Sequence, residues 1–189
     1  MRLLIVVDMQ NDFITGALAN KEGQQIIDNV KAKIHEYATS TEEKCYVIFT
    51  KDTHYDEDPA YLDTEEGKNL PVVHCIKGTA GHEVVPELVE ECEHAKACYC
   101  KETFGSMELA NYIAKEGQDY STIELVGVCT DICVISNAVM AKAAASPFCH
   151  IMVDAACCAG VTPESHDMAI GAMEALHIEV TNKGKEPWR

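Results

Sequence analysis

Short apolar runs recur along this chain, separated by stretches in which apolar positions return every three or four residues. The runs "RLLIVVD", "KCYVIFTK", "KACYC", "STIELVGV", "CHIMVDAA" and "HIEVT" are mostly near-continuous instead of alternating. That pattern predicts parallel strands buried on both faces. Between them, Ile26, Ile27, Val30, Ile34 and Tyr37 share one helical face, and Val84, Val85, Leu88 and Val89 suggest a second helix. "SMELANYIAKEG" predicts a helix that stops at Gly117, and "DICVISNAVMAKAAAS" one that stops before Pro147. "TPESHDMAIGAMEAL" predicts a helix with Thr162 as N-cap and Pro163 at its first position. Strands alternating with helices predict an α/β fold, a three-layer α/β/α sandwich around a parallel sheet.

Residues 52–81 break this rhythm with little periodicity and many acids, glycines and prolines. A loop this long inside a compact domain is usually functional. Residues 1–182 read as a single domain, and the polar segment 183–189, "KGKEPWR", as a loose tail.

Composition narrows the picture. With 189 residues the chain can bury a full-size core, and 47% apolar residues exclude wholesale disorder. A formal charge of −16 argues against nucleic acid or an anionic membrane surface as a partner. No apolar run approaches a membrane span, and residues 3–7 are too few for the core of a signal peptide. Ten cysteines at irregular spacing, with no secretory signal, fit free thiols in a reducing cytoplasm.

Ligand sites in open α/β sheets lie at the carboxyl ends of the strands. Four predicted strands end in "DMQNDF", "KDTH", "KETFGS" and "GVCTDIC". Cys133 falls in the first turn of the helix after the fourth strand, where a thiol is activated and free N–H groups can hold an oxyanion. Read alone, it is also one buried thiol among ten. Asp8 is a candidate base or a turn-capping carboxylate; Lys101 is a candidate charge partner or a solvated loop lysine. Asp52 and His54, in alternate positions, can face one centre with His74, and Glu66 or Glu65 can add a fourth metal ligand. Asp56, Glu57 and Asp58 are weaker candidates. "CEHAKACYC" has a metal-like look, but Cys98 and Cys100 alternate onto one face of a strand, where packing under a helix is expected. Cys157 and Cys158 follow the fifth strand and are expected near the pocket, as is Cys129.

These pieces resemble the isochorismatase-like cysteine hydrolase superfamily, especially its nicotinamidase/pyrazinamidase branch. The resemblance rests on "VVDMQNDF", "TKDTH" with "PVVHCIKGT", "KETFGS" and "GVCTDICV" in that order. It implies a six-stranded sheet of order 3-2-1-4-5-6 and a catalytic triad of Asp8, Lys101 and Cys133. It implies a cis peptide between Val128 and Cys129, with the Cys129 and Cys133 amides as oxyanion hole. It further implies a divalent metal, zinc foremost and manganese or iron as alternatives, held by Asp52, His54, His74 and Glu66. Phe13, Val128 and Ile132 are the implied substrate-binding residues, with Tyr55, Tyr61 or Phe104 as further pocket walls. The implied reaction is hydrolysis of a small carboxamide, nicotinamide to nicotinate and ammonia, through a cysteine thioester, in a cytoplasmic homo-oligomer. The sequence departs from that branch where Leu70 stands in place of a tryptophan and Ile132 in place of a frequent histidine. The competing readings are an N-carbamoyl amidohydrolase, an isochorismatase-like ether hydrolase, and a non-catalytic metal-binding or redox-sensing thiol protein.

Overall fold

The computed structural model describes residues 1–57 and 60–189. Six strands, β1 (Arg2–Val7), β2 (Cys45–Asp52), β3 (Ala97–Lys101), β4 (Thr122–Val128), β5 (His150–Ala159) and β6 (Glu179–Thr181), form one parallel sheet. Their order is β3-β2-β1-β4-β5-β6, as the resemblance implied. The helices are α1 (Asn11–Ile14), α2 (Lys21–Gln25), α3 (Ile27–Ala38), α4 (Glu65–Asn69), α5 (Val89–Glu93), α6 (Met107–Glu116), α7 (Ile135–Ala144) and α8 (Pro163–Ala175).

The near-continuous apolar strands follow from burial on both faces. In β1, Leu3, Ile5 and Val7 pack with Leu109, Ile113, Ala138 and Ile170 of α6, α7 and α8. Leu4 and Val6 pack on the opposite face with Phe13, Val30, Ile34 and Tyr37 of α1 and α3. Each central strand thus fills two cores, so most of its positions are apolar.

Local signals place the helix ends. The Ser106 side chain accepts from Leu109 N–H to start α6, which closes at Gly117. Thr162 and Ser165 form a reciprocal capping box on α8, with Pro163 at its first position. Two expectations are corrected. The helix over Val84 to Val89 is broken by Pro86 into a 3₁₀ turn, Pro86–Leu88, and the five-residue α5. Thr130–Val134 is a π-type turn, so α7 starts only at Ile135.

Two further expectations are corrected. Cys98 and Cys100 do share a face, but they are exposed. β3 is the edge strand, and the segment ahead of it folds only the short α5, so no long helix covers that face. Residues 183–189 are not loose. Glu186 is buried, and Trp188 Nε1 donates to the carbonyl of Cys158 at 3.2 Å. The Trp188 ring meets His166 of α8 edge-on, 5.0 Å between centroids. The apolar ring and the ion-paired ends of this segment explain the docking that its polar composition hid. No helix among the described residues is long and apolar enough to cross a membrane.

The end of β4 depends on Gly127. Its φ is +120°, and a Cβ there would lie 2.1 Å from the Val7 carbonyl oxygen of neighbouring β1. Gly127→Ala therefore meets both a disfavoured backbone region and an atom that cannot move without breaking the sheet. The expected cost is about 3 kcal/mol or more, read by urea unfolding. A loss within about 0.5 kcal/mol, the range of an ordinary surface change, would refute this account.

Candidate active site

The order in which strands join the sheet reverses between β1 and β4, and the side chains at the carboxyl ends of four strands converge there. Asp8 follows β1. Its amide donates to Thr50 O, and its Oδ1 accepts from the Thr50 hydroxyl at 2.7 Å. Lys101 ends β3. Its ammonium lies 2.6 Å from Asp8 Oδ2 and 3.2 Å from Asp52 Oδ1, and donates to Cys133 Sγ at 3.5 Å. Asp8 is wholly buried, and Lys101 and Cys133 are each 5% exposed.

The electrostatics follow from that burial. Desolvation raises the pKa of Asp8 above the ordinary carboxylate value, against the pull of Lys101. Burial likewise pushes the Cys133 thiol well up, with Lys101 opposing. Burial works against the charge of Lys101, but Asp8, then Cys133 and Asp52, outweigh it and raise its pKa. The arrangement sets a thiol and a carboxyl group, both with raised proton affinity, against an ammonium whose charge its neighbours favour.

The second half of the site is built by the stretches that carry Asp52, His54, Glu66 and His74. Gln10 grips the first of these: its Nε2 donates to Asp52 O and His82 O, and its Oε1 accepts from Asp52 N–H. His54 N–H donates to Cys75 O, and Lys77 N–H to His54 O, which ties the two histidine-bearing stretches side by side. Thr64 caps α4, and so presents Glu66. Asp52, His54, Glu66 and His74 each offer one donor atom, all within 4.8 Å of one another. His74 Nδ1 donates to the Val72 carbonyl at 2.7 Å, leaving Nε2 as the inward lone pair. His54 Nε2 is buried without a hydrogen-bond partner although Asp52 Oδ2 is 2.9 Å away. Two imidazole nitrogens and two carboxylates turned on one point fit a divalent metal of the zinc, manganese or iron kind. Burial opposes the charge of Asp52, but His54, His74 and Lys101 hold its pKa well below the usual carboxylate range.

Of the expected site residues, Asp8, Lys101 and Cys133 are brought together, and so are Asp52, His54, Glu66 and His74. Glu65 points away and pairs with Lys68 in solvent. Asp56 and Glu57 are exposed, and Asp58 lies outside the described residues. The Val128-Cys129 peptide is cis. Phe13 meets His74 edge-on at 5.6 Å, and Tyr61 lies 4.5 Å from His54 and 4.9 Å from His74. Tyr55 and Phe104 are exposed, as is Leu70. The Val128 side chain is fully buried in the core, so only its backbone can face a ligand; Ile132 is half-buried. Cys157 and Cys158 are core residues on opposite faces of the sheet, not pocket walls.

Sequence reasoning missed four supporting side chains. Gln10 and Thr50 sit within quoted strand-end segments but look like ordinary turn residues there. Asn137 joins the loop after β3 to the nucleophile turn: Oδ1 accepts from Ser106 N–H, and Nδ2 donates to Phe104 O and Cys133 O. Its only sequence signal is a polar residue one helical turn after Cys133. The fourth is His166, taken up below.

The isochorismatase domain family matches residues 2–184. The nicotinamidase/pyrazinamidase of Mycobacterium tuberculosis is 29% identical over 148 residues, covering 73% of this chain and 77% of its own. The nicotinamidase of Saccharomyces cerevisiae is 25% identical over 178 residues, covering 75% of this chain and 81% of its own. Among solved structures, nicotinamidase PncA from Bacillus subtilis superposes with a TM-score of 0.77 at 28% identity, covering 95% of this chain and 98% of that one. The pyrazinamidase of Pyrococcus horikoshii in complex with zinc gives 0.76 at 26% identity, with the same coverage of 95% and 98%.

Proposed function

The chain belongs to the isochorismatase domain family, and from that premise we propose that it is a nicotinamidase, hydrolysing nicotinamide to nicotinate and ammonia. The observation that carries the reading is the placement of one buried ammonium, Lys101, against Asp8, Asp52 and Cys133 at once. A nucleophile needs a base and an orienting group, and these three strand ends supply them.

In this reading Asp8 takes the proton of the Cys133 thiol, its burial raising its proton affinity as a base requires. Lys101 stabilises the thiolate as it forms. The thiolate attacks the carboxamide carbon, and the oxyanion is held by the Cys129 and Cys133 amides. Asp8 returns the proton to the leaving nitrogen, and ammonia departs from the thioester. Asp8 then takes a proton from a water, whose oxygen attacks the thioester carbon; the acid is released and the proton returns to Cys133. Asp52, His54, Glu66 and His74 would hold the divalent metal, zinc foremost. When bound, the metal supplies a Lewis-acid anchor for a ring nitrogen or a water. Phe13 and Tyr61 would wall the ring site in place of the missing tryptophan. Ten free cysteines support a reducing, cytoplasmic setting. A homo-oligomer is part of the same reading.

The test is ammonia release from nicotinamide, pyrazinamide and a panel of N-carbamoyl compounds. Nicotinamide is expected to turn over with kcat/KM above about 10⁴ M⁻¹s⁻¹. Turnover of an N-carbamoyl compound with nicotinamide inert would move the substrate to that class. Elemental analysis of the purified protein is expected to find one divalent metal per chain, and His54→Ala to lower that occupancy at least about tenfold at equal free metal. Full occupancy in the variant would remove His54 from the ligand set.

A further inference from the structure

We propose that His166 and Glu186 are positioning residues for the nucleophile turn: the Glu186 carboxylate orients the His166 imidazole, which holds the Thr130 hydroxyl and, through it, the backbone between Cys129 and Cys133. The proposal rests on the reading of Cys133 and those amides given above.

Thr130 is the first residue of the π-type turn Thr130–Val134 and is wholly buried. The carbonyl of Cys129, just ahead of it, accepts from the amides of Ile132 and Val134 at 3.1 and 3.0 Å. The peptide that joins Cys129 to Thr130 is therefore the hinge of the turn. The side chain that secures it is Thr130, whose Oγ1 lies 2.8 Å from Nδ1 of His166. His166 is also wholly buried, and its Nε2, which makes no hydrogen bond, faces Glu186 Oε1 at 3.4 Å as an ion-pair contact.

The direction of this relay follows from the chemistry of its ends. Burial lowers the His166 pKa and favours a neutral ring with one N–H. Burial opposes the charge on Glu186, but hydrogen bonding from Arg189 and from the Gly184 amide outweighs it and lowers its pKa. A carboxylate only accepts, so the ring proton sits on Nε2. Nδ1 is then the lone pair that accepts from the Thr130 hydroxyl. Reversing the relay would turn a ring lone pair toward the Glu186 carboxylate.

Independent contacts hold the relay in register. Asp131 Oδ1, in the same turn, accepts from Val161 N–H at 3.1 Å. A Cβ on Gly160 would lie 2.9 Å from the His166 amide, so α8 approaches the end of β5 as closely as the backbone allows. Arg189 pairs with both Glu186 and Asp167 of α8, and the Trp188 ring closes over His166.

A structural role alone would show in stability; a positioning role shows in kcat. With nicotinamide as substrate, Thr130→Val is expected to lower kcat roughly 30-fold with KM within about twofold, the pattern of a lost transition-state interaction. Thr130→Ser keeps the hydroxyl and is expected to stay within about threefold of wild type, and Glu186→Gln to lose about fivefold. Imidazole ¹⁵N spectra, with the His166 signal assigned by its loss in His166→Asn, are expected to show the Nε2–H form in wild type and a mixture in Glu186→Gln. Folded Thr130→Val and Glu186→Gln proteins with kcat within about twofold of wild type would overturn the proposal. A wild-type Nδ1–H form would overturn it equally. If wild type is inert on nicotinamide, the substrate reading falls, and the ring tautomer still decides whether the relay exists.

Discussion

Cys133→Ala is expected to lower kcat for nicotinamide by about 10⁴-fold or more, the loss typical when a covalent nucleophile is removed. The variant should nevertheless fold. Cys133 contributes a single sulfur atom to the core, and its contact with Lys101 at 3.5 Å is the longest of the three that the ammonium makes. Lys101 keeps Asp8 and Asp52, so no buried charge is stranded. Thermal unfolding should shift by only a few degrees, about what one small buried group is worth in a chain of this size. Cys133→Ser separates nucleophile from shape. A hydroxyl fills the space, but Asp8 cannot deprotonate it as readily, and activity should stay within about tenfold of the alanine variant. A folded Cys133→Ala protein retaining more than about a tenth of wild-type kcat would remove Cys133 from the reaction.

Lys101→Met carries the second large effect, and it falls on stability as well as rate. The methionine matches the shape of the lysine stem but leaves Asp8 and Asp52 facing each other without the ammonium that lies 2.6 and 3.2 Å from them. Breaking a buried ion pair from one side costs about 3–5 kcal/mol, because the remaining charge has lost its compensation. Asp8 would answer by keeping a proton, and a protonated Asp8 cannot accept one from Cys133. The expected result is a loss of about 3–5 kcal/mol in urea unfolding and a fall in kcat of at least about 10²-fold. A variant as stable as wild type would mean that the ammonium does not neutralise these carboxylates.

Much of this was legible before any coordinates. The apolar runs of β1 and β4 are near-continuous because each strand fills two cores, and α8 announces itself through Thr162 and Pro163. Strand ends are where a parallel sheet exposes side chains to a cleft, so Asp8, Asp52, Lys101 and the turn of Cys133 could be singled out by position. What stayed hidden depends on tertiary direction. Glu65 and Glu66 are adjacent on a five-residue helix, about 100° apart, and only the fold decides which one faces His54. The π-type turn at Thr130 has the same composition as the start of an α-helix, and its extra residue is a consequence of what packs around it. Cys98 and Cys100 alternate as a buried pair would, but an edge strand left them uncovered. The docking of residues 183–189 rests on Glu186, Trp188 and Arg189 finding partners from α8 and β5, and a polar segment with one tryptophan carries no local sign of that.

The sheet order also governs when the site can come into being. Asp8 lies beside β2 through Thr50, reaches β3 through Lys101, and reaches the end of β4 through the same ammonium. No single strand–helix–strand unit of the chain contains all three of Asp8, Lys101 and Cys133. A single strand–helix–strand unit, the kind of fragment that forms early from nearby residues, cannot assemble the triad. Hydrolytic activity therefore requires the long-range pairings that bring β3, β2, β1 and β4 side by side.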